Sequence, residues 1–255
     1  MATCGVVRIW LVMALISVGP AWAQALVPQL PMTGDDGCPE GFSPLPGEAC
    51  IALPTAPSNE RVIVYFHGML TSPWAIKSRW ELGQLARAAT PHGYTVIGLR
   101  GLKGLCDWSD ESRQSFCWPN GLRQGAQIQP IIDRLRDALV EASARAKVKL
   151  KPPFVVGFSN GGFLVSLIAS DTRLAVGAYA IAHGGSVVGQ GFPPWRRRPM
   201  LLVTANGDVA HFPRMKVLAQ MLGEDRWEST FTVREGVHEM TVDDMKAIVE
   251  FFDNV

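Results

Sequence analysis

Three residue types that together make nucleophilic chemistry possible each follow an apolar run in this chain. Ser159 stands between Gly157 and Gly161 in VVGFSNGGFLVSL, after one such run and before an amphipathic stretch. A serine hydroxyl attacks a carbonyl at neutral pH only when a base takes its proton, and an imidazole serves best when a carboxylate orients it. Asp208 ends LLVTANGD, and His238 lies in VREGVHEM, so acid and base both follow the serine in the chain. The two glycines allow a helix and a strand to approach closely, while the sharp turn between them lifts the hydroxyl clear of the sheet. A helix beginning at Asn160 directs its positive end at the same point.

The elements that must position these groups read as alternating buried strands and amphipathic helices from residue 61 onward. Strands are expected at RVIVYF (61–66), YTVIGLR (94–100), PFVVGF (153–158), VGAYAIA (176–182), PMLLVTA (199–205) and ESTFTV (228–233). Helices are expected at 75–89, from about Ile128 with Pro130 in the first turn, at 160–170, at 212–222, and last behind a Thr241/Asp244 capping pair. Strands apolar throughout, each followed by a helix, predict an α/β fold with a mostly parallel central sheet covered on both faces. Such sheets bind ligands at the carboxyl ends of their strands, and His67, Ser159, Asp208 and His238 all fall there.

Other polar groups have plainer readings. His67, in the His-Gly pair after the first of these strands, is expected to hold a loop rather than to act as base. His183 precedes Asp208 in the chain and is expected to line the pocket. His211 reads as a cap or pocket wall, and His92 as a surface turn. Trp74, Trp108, Trp118 and Trp195 fall in rim-side loops, where they either wall a groove for apolar or aromatic acyl groups or pack beneath the loops. No metal or organic cofactor is called for by this chemistry.

Ahead of the alternating region lie two other segments. Residues 1–23 combine Arg8, the apolar run IWLVMALISVG and the small-residue end AWA, the pattern of a signal peptide, and predict export to the periplasm or beyond. That run falls short of the roughly 20 apolar residues of a membrane span, so no stable membrane insertion is expected. Removing Arg8 leaves 23 of the 24 Lys and Arg residues against 23 Asp and Glu, which gives no field for nucleic acid. Residues 24–60 are rich in Pro and Gly, with at most one short strand near Ala49–Leu53, and read as an N-terminal extension stapled by its own disulfide ahead of a domain at 61–255. The four cysteines left after cleavage allow three pairings, and Cys38–Cys50 with Cys106–Cys117 are expected because each closes a short loop.

The stretches FHGML, GFSNGG, ANGD and GVHEM, in that order, give residues 61–255 a resemblance to the α/β-hydrolase superfamily. The resemblance implies an eight-stranded sheet, a Ser159–His238–Asp208 triad, and an oxyanion hole from the backbone N–H groups of Met69 and Asn160. Only some fifteen residues separate the strands at 176–182 and 199–205, where relatives insert their lids, so no large cap domain is expected. Among exported members, GFSNGG beside a cysteine-stapled loop is similar to the polyhydroxyalkanoate depolymerase and feruloyl esterase group. The oxyanion stretch HGMLTSP lacks the cysteine of the polyester-cleaving members, which favours a general carboxylesterase acting on a small or polymeric ester. A serine peptidase or acyltransferase with the same triad, and a non-catalytic binding protein on the same scaffold, are the alternatives.

Overall fold

The structure, a computed structural model, describes residues 37–70, 76–107, 109–171, 173–186, 193 and 197–255. Its centre is an eight-stranded sheet. The strands in chain order are β1 (Ser43–Leu45), β2 (Ala49–Ala52), β3 (Val62–Phe66), β4 (Thr95–Leu99), β7 (Phe154–Phe158), β8 (Ala178–Ala182), β9 (Met200–Ala205) and β10 (Ser229–Arg234). A separate two-stranded ribbon is formed by β5 (Leu102–Lys103) and β6 (Phe116–Cys117). In space the order of the large sheet is β1-β2-β4-β3-β7-β8-β9-β10. From β4 to β10 every neighbouring pair is parallel, whereas β1 and β2 add an antiparallel edge.

The sequence accounts for this layering. Along β3, Val62, Val64 and Phe66 face one side and Ile63 and Tyr65 the other, and all five are buried. On the first side lie α2 (Ile128–Ala146), α3 (Asn160–Ser170) and α4 (Phe212–Glu224), through residues such as Ile131, Leu135, Leu164 and Leu218. On the second lie α1 (Ile76–Ala89) and α5 (Val242–Asp253), through Leu82, Leu85, Ile248 and Phe252. Pro130 falls in the first turn of α2, where its missing N–H costs no hydrogen bond. The Thr241/Asp244 pair forms a reciprocal capping box at the start of α5.

Two features differ from expectation. The stretch before residue 61 is woven into the sheet: β2 pairs with β4 and β1 with β2, so the edge is made by the segment that carries Cys38 and Cys50. The short strand expected near Ala49–Leu53 is β2, while the Pro and Gly content masks the three-residue β1 and the pairing of both with the sheet. The ribbon β5–β6 was also unforeseen, being too short for any period to show. Both expected disulfides are formed, Cys38–Cys50 and Cys106–Cys117.

From β3 the chain steps to β4 on one side and later to β7 on the other. The crevice at such a reversal, beyond the carboxyl ends of the strands, is where open sheets of this kind hold ligands. His67 leaves β3 there and Ser159 leaves β7.

Candidate active site

Ser159 occupies a backbone conformation, φ 51° and ψ −116°, that L-residues adopt only under strain. The strain is imposed by close packing on every side. A side chain at Gly161 would run into the carbonyls of Phe66 and His67, and one at Gly157 into the backbone of the Gly161–Gly162 turn. A side chain at Gly184 would meet the backbone of Ser159 itself. The glycines of GFSNGG thus permit β3, β7 and α3 to converge beneath the serine.

The serine, the histidine and the acid meet. His238 Nε2 lies 2.9 Å from Ser159 Oγ, and His238 Nδ1 lies 2.7 Å from Asp208 Oδ2. The imidazole is held flat between two rings, with Phe158 at 5.2 Å and His211 at 4.4 Å between centroids. Burial lowers the basicity of His238, opposed by its bond to Asp208 and reinforced by the neighbouring His211 and His183.

Asp208 is buried and serves three imidazoles at once. Besides His238, His183 Nδ1 lies 3.1 Å from Oδ2 and His211 Nδ1 lies 3.1 Å from Oδ1. Burial alone would push the carboxyl up, but the three imidazole hydrogen bonds outweigh it and hold the group down at about 2. Behind His183 lies a further ion pair. Arg234 donates from Nε to both oxygens of Asp244, at 3.0 and 3.1 Å, and its Nη2 lies 3.4 Å from His183 Nε2. Arg234 also donates to the carbonyls of Glu235 and Glu239, on either side of His238, so one guanidinium fixes the loop that carries this histidine.

On the other flank, Trp118 Nε1 donates to the His67 carbonyl at 2.9 Å, and the Gly101 N–H donates to His67 Nε2 at 2.9 Å. His67 is buried, and desolvation lowers its pKa to about 4, so it is a neutral acceptor at physiological pH. The Asn160 side chain accepts from the Trp118 N–H at 2.7 Å and donates back to its carbonyl. Leu70 exchanges both backbone hydrogen bonds with Phe116, at 3.1 and 2.7 Å, tying the segment after Met69 to the ribbon closed by Cys106–Cys117.

Between these flanks opens a cleft of about 550 Å³, lined by Met69, Asn120, Ser159, Asn160, Phe163, His211, Arg214 and His238. Its size suits a small organic ligand. Two expected lining residues are absent from it. His183 is wholly buried beneath the acid, because its imidazole is drawn down between Asp208 and the Arg234–Asp244 pair. Trp118 is also wholly buried, packed edge-on against Phe66 with its N–H spent on the His67 carbonyl. Trp74, Trp108, Trp195 and the signal segment lie outside the described residues. The second bond of Asp208 to His211 escaped sequence reasoning, although a histidine three residues beyond an acid at a helix start was its available signal.

A ring nitrogen of His183, a ring nitrogen of His238 and a carboxylate oxygen of Asp208 lie within 4.8 Å of one another, a spacing that a metal ion could bridge. An ion bound through His238 Nδ1 would take the place of the proton by which that nitrogen bonds Asp208. The site is complete as a set of hydrogen bonds without such an exchange.

No protein-family model matches the chain, and no curated protein does. Solved structures do. A carboxylesterase from Mesorhizobium loti is 17% identical with a TM-score of 0.61, over 85% of this chain and 100% of that one. A Bacillus cereus carboxylesterase is 16% identical with a TM-score of 0.55, over 81% and 93%. An acylaminoacyl peptidase from Pyrococcus horikoshii is 14% identical with a TM-score of 0.55, over 81% of this chain but 38% of that longer one. At such identities the likeness is one of architecture, and together with the sheet order and the turn at Ser159 it leads to one conclusion: the chain has the α/β-hydrolase fold.

Proposed function

We propose that the protein is a serine hydrolase that cleaves carboxylic esters through an acyl-enzyme. The observation that carries this reading is the continuous line from Ser159 Oγ to His238 and on to Asp208, at 2.9 and 2.7 Å, opening into a cleft. His238 takes the Ser159 proton as Oγ attacks the acyl carbonyl, then delivers it to the leaving alcohol; Asp208 holds the tautomer and stabilises the imidazolium. The backbone N–H groups of Met69 and Asn160, the latter at the positive end of α3, receive the oxyanion. Water, activated by the same imidazole, releases the acid. The carboxylesterases of like architecture support an ester as substrate, and the modest cleft favours a small one. Two disulfides suit an oxidising compartment, which agrees with the export pattern of residues 1–23. Among the described residues no helix is long and apolar enough to cross a membrane.

The test is hydrolysis of 4-nitrophenyl esters of graded acyl length by the protein lacking residues 1–23 and by its Ser159→Ala variant. The variant is expected to lose activity by about 10³-fold or more. Equal rates in both would remove Ser159 from the chemistry. Turnover of the matching anilides but not of the esters would favour the peptidase alternative.

A further inference from the structure

We propose that Arg214 forms an anion subsite in this cleft and that the protein's esters carry a carboxylate; the inference rests on the reading of Ser159 as nucleophile. Arg214 lines the same cleft as Ser159 and His238, and no Asp or Glu is among the lining residues. Its guanidinium makes no ion pair or hydrogen bond among the described residues, in contrast to Arg61, Arg134 and Arg234, each of which serves two or more acceptors. Folding therefore gains nothing visible from its charge.

Its place in the chain makes the charge costly. Arg214 stands in the first turn of α4, two residues after Phe212, with no acid in that turn to offset it. The helix dipole makes this end positive and disfavours a cation there, although Asp208 already accepts from the His211 N–H through its carboxylate and from the Phe212 N–H through its carbonyl. The His211 imidazole, at the N-cap of the same helix, is anchored to Asp208 and fixes the helix end beside the catalytic histidine. An exposed, unpaired arginine at a helix N-terminal turn, on the wall of a cleft whose lining has no acid, is free to receive a carboxylate, whose two oxygens match the guanidinium fork.

The carboxylate can belong to the acyl half or to the alcohol half, and two substrates separate these cases. Mono(4-nitrophenyl) succinate carries it on the acyl side, 4-carboxyphenyl butyrate on the leaving group, and 4-nitrophenyl butyrate is the neutral reference. In Arg214→Gln, kcat/KM for one of the two anionic esters, relative to the neutral one, is expected to fall about tenfold, chiefly through KM. Arg214→Lys should recover part of the loss, since it restores charge without the fork. Unchanged ratios for both anionic esters would overturn the subsite while leaving the esterase reading intact. Should the parent protein cleave none of these esters, the ester-hydrolase reading fails instead. Calorimetric binding of the two anionic esters to Ser159→Ala then decides the subsite alone. About tenfold weaker binding of one ester after adding Arg214→Gln upholds it, and equal binding of both rejects it.

Discussion

Two wholly buried histidines flank the strand that delivers Ser159. His67 follows β3 on one side of β7 and His183 follows β8 on the other. The described bonds of His67 run to neutral groups, the Gly101 N–H, the Gly68 carbonyl and, through its own carbonyl, the Trp118 indole, and the Arg134 charge lowers its basicity from outside those bonds. The described polar partners of the His183 ring carry charge: Asp208, Arg234 and, at 3.9 Å from Nε2, Asp244. On the proposed function the contrast follows from what each flank would do. An oxyanion wall would need fixed N–H dipoles that do not change during turnover, and backbone-anchored bonds suit that. The acid wall would stabilise a histidine that gains and loses a proton each cycle, and it is built from charges that a single substitution can unbalance.

The largest effect should come from the acid wall. Asp208→Asn removes the charge that steadies the imidazolium and presents an amide that can donate where His238 must donate. A loss of kcat/KM of about 10³ to 10⁴ is expected in steady-state ester hydrolysis. Asp208 also links pH to stability. Its folded pKa, about 2, lies below the ordinary 3.8, so its contribution is present above pH 3.8 and is lost as pH falls toward 2. Acid unfolding followed by circular dichroism should therefore show a smaller stability loss across that window in Asp208→Asn than in the parent.

A smaller effect tests whether His183 acts through the acid. His183→Leu deletes one hydrogen bond to Asp208, leaving the carboxylate more basic toward His238, and also removes a neighbour that lowers His238. The acid limb of the kcat/KM profile, expected below pH 6.5 in the parent, should move to higher pH, with a fall of about tenfold on its plateau. His183→Asn keeps a donor near the Nδ1 position and tolerates the backbone φ of 52°, so it should restore much of both. A fall in rate with the acid limb unmoved would make His183 a packing residue only.

The legibility of the two walls in sequence differs for the same reason. The convergence of Ser159, Asp208 and His238 was readable because each combines a strand end, a turn and a polar side chain within a few residues, as at Gly157–Gly161 and Ala205–Asp208. The parallel sheet was readable because β3, β4, β7, β8 and β9 are apolar on both faces. What supports the triad was not readable. Arg234 and Asp244 look like ordinary charges of a strand end and a helix cap, and only the fold, which brings the end of β10 and the start of α5 together behind β8, turns them toward His183. Trp118 reads as a rim aromatic until the Cys106–Cys117 ribbon folds it under Phe66. Local chemistry is written in local sequence, but which flank a distant side chain joins is decided by topology.

The mildest substitution sharpens the comparison from the neutral side. Trp118→Phe keeps an aromatic ring against Phe66 while removing the N–H that satisfies the buried His67 carbonyl. A buried acceptor left without its donor costs about 1–3 kcal/mol, to be read as a lower midpoint in urea. Because neither His67 nor Trp118 bears charge in this exchange, the acid limb of the rate profile should stay where it is in the parent. A shift of that limb in Trp118→Phe would mean that the two flanks are electrostatically coupled through Ser159, and the division between a dipolar wall and a charged wall would have to be abandoned.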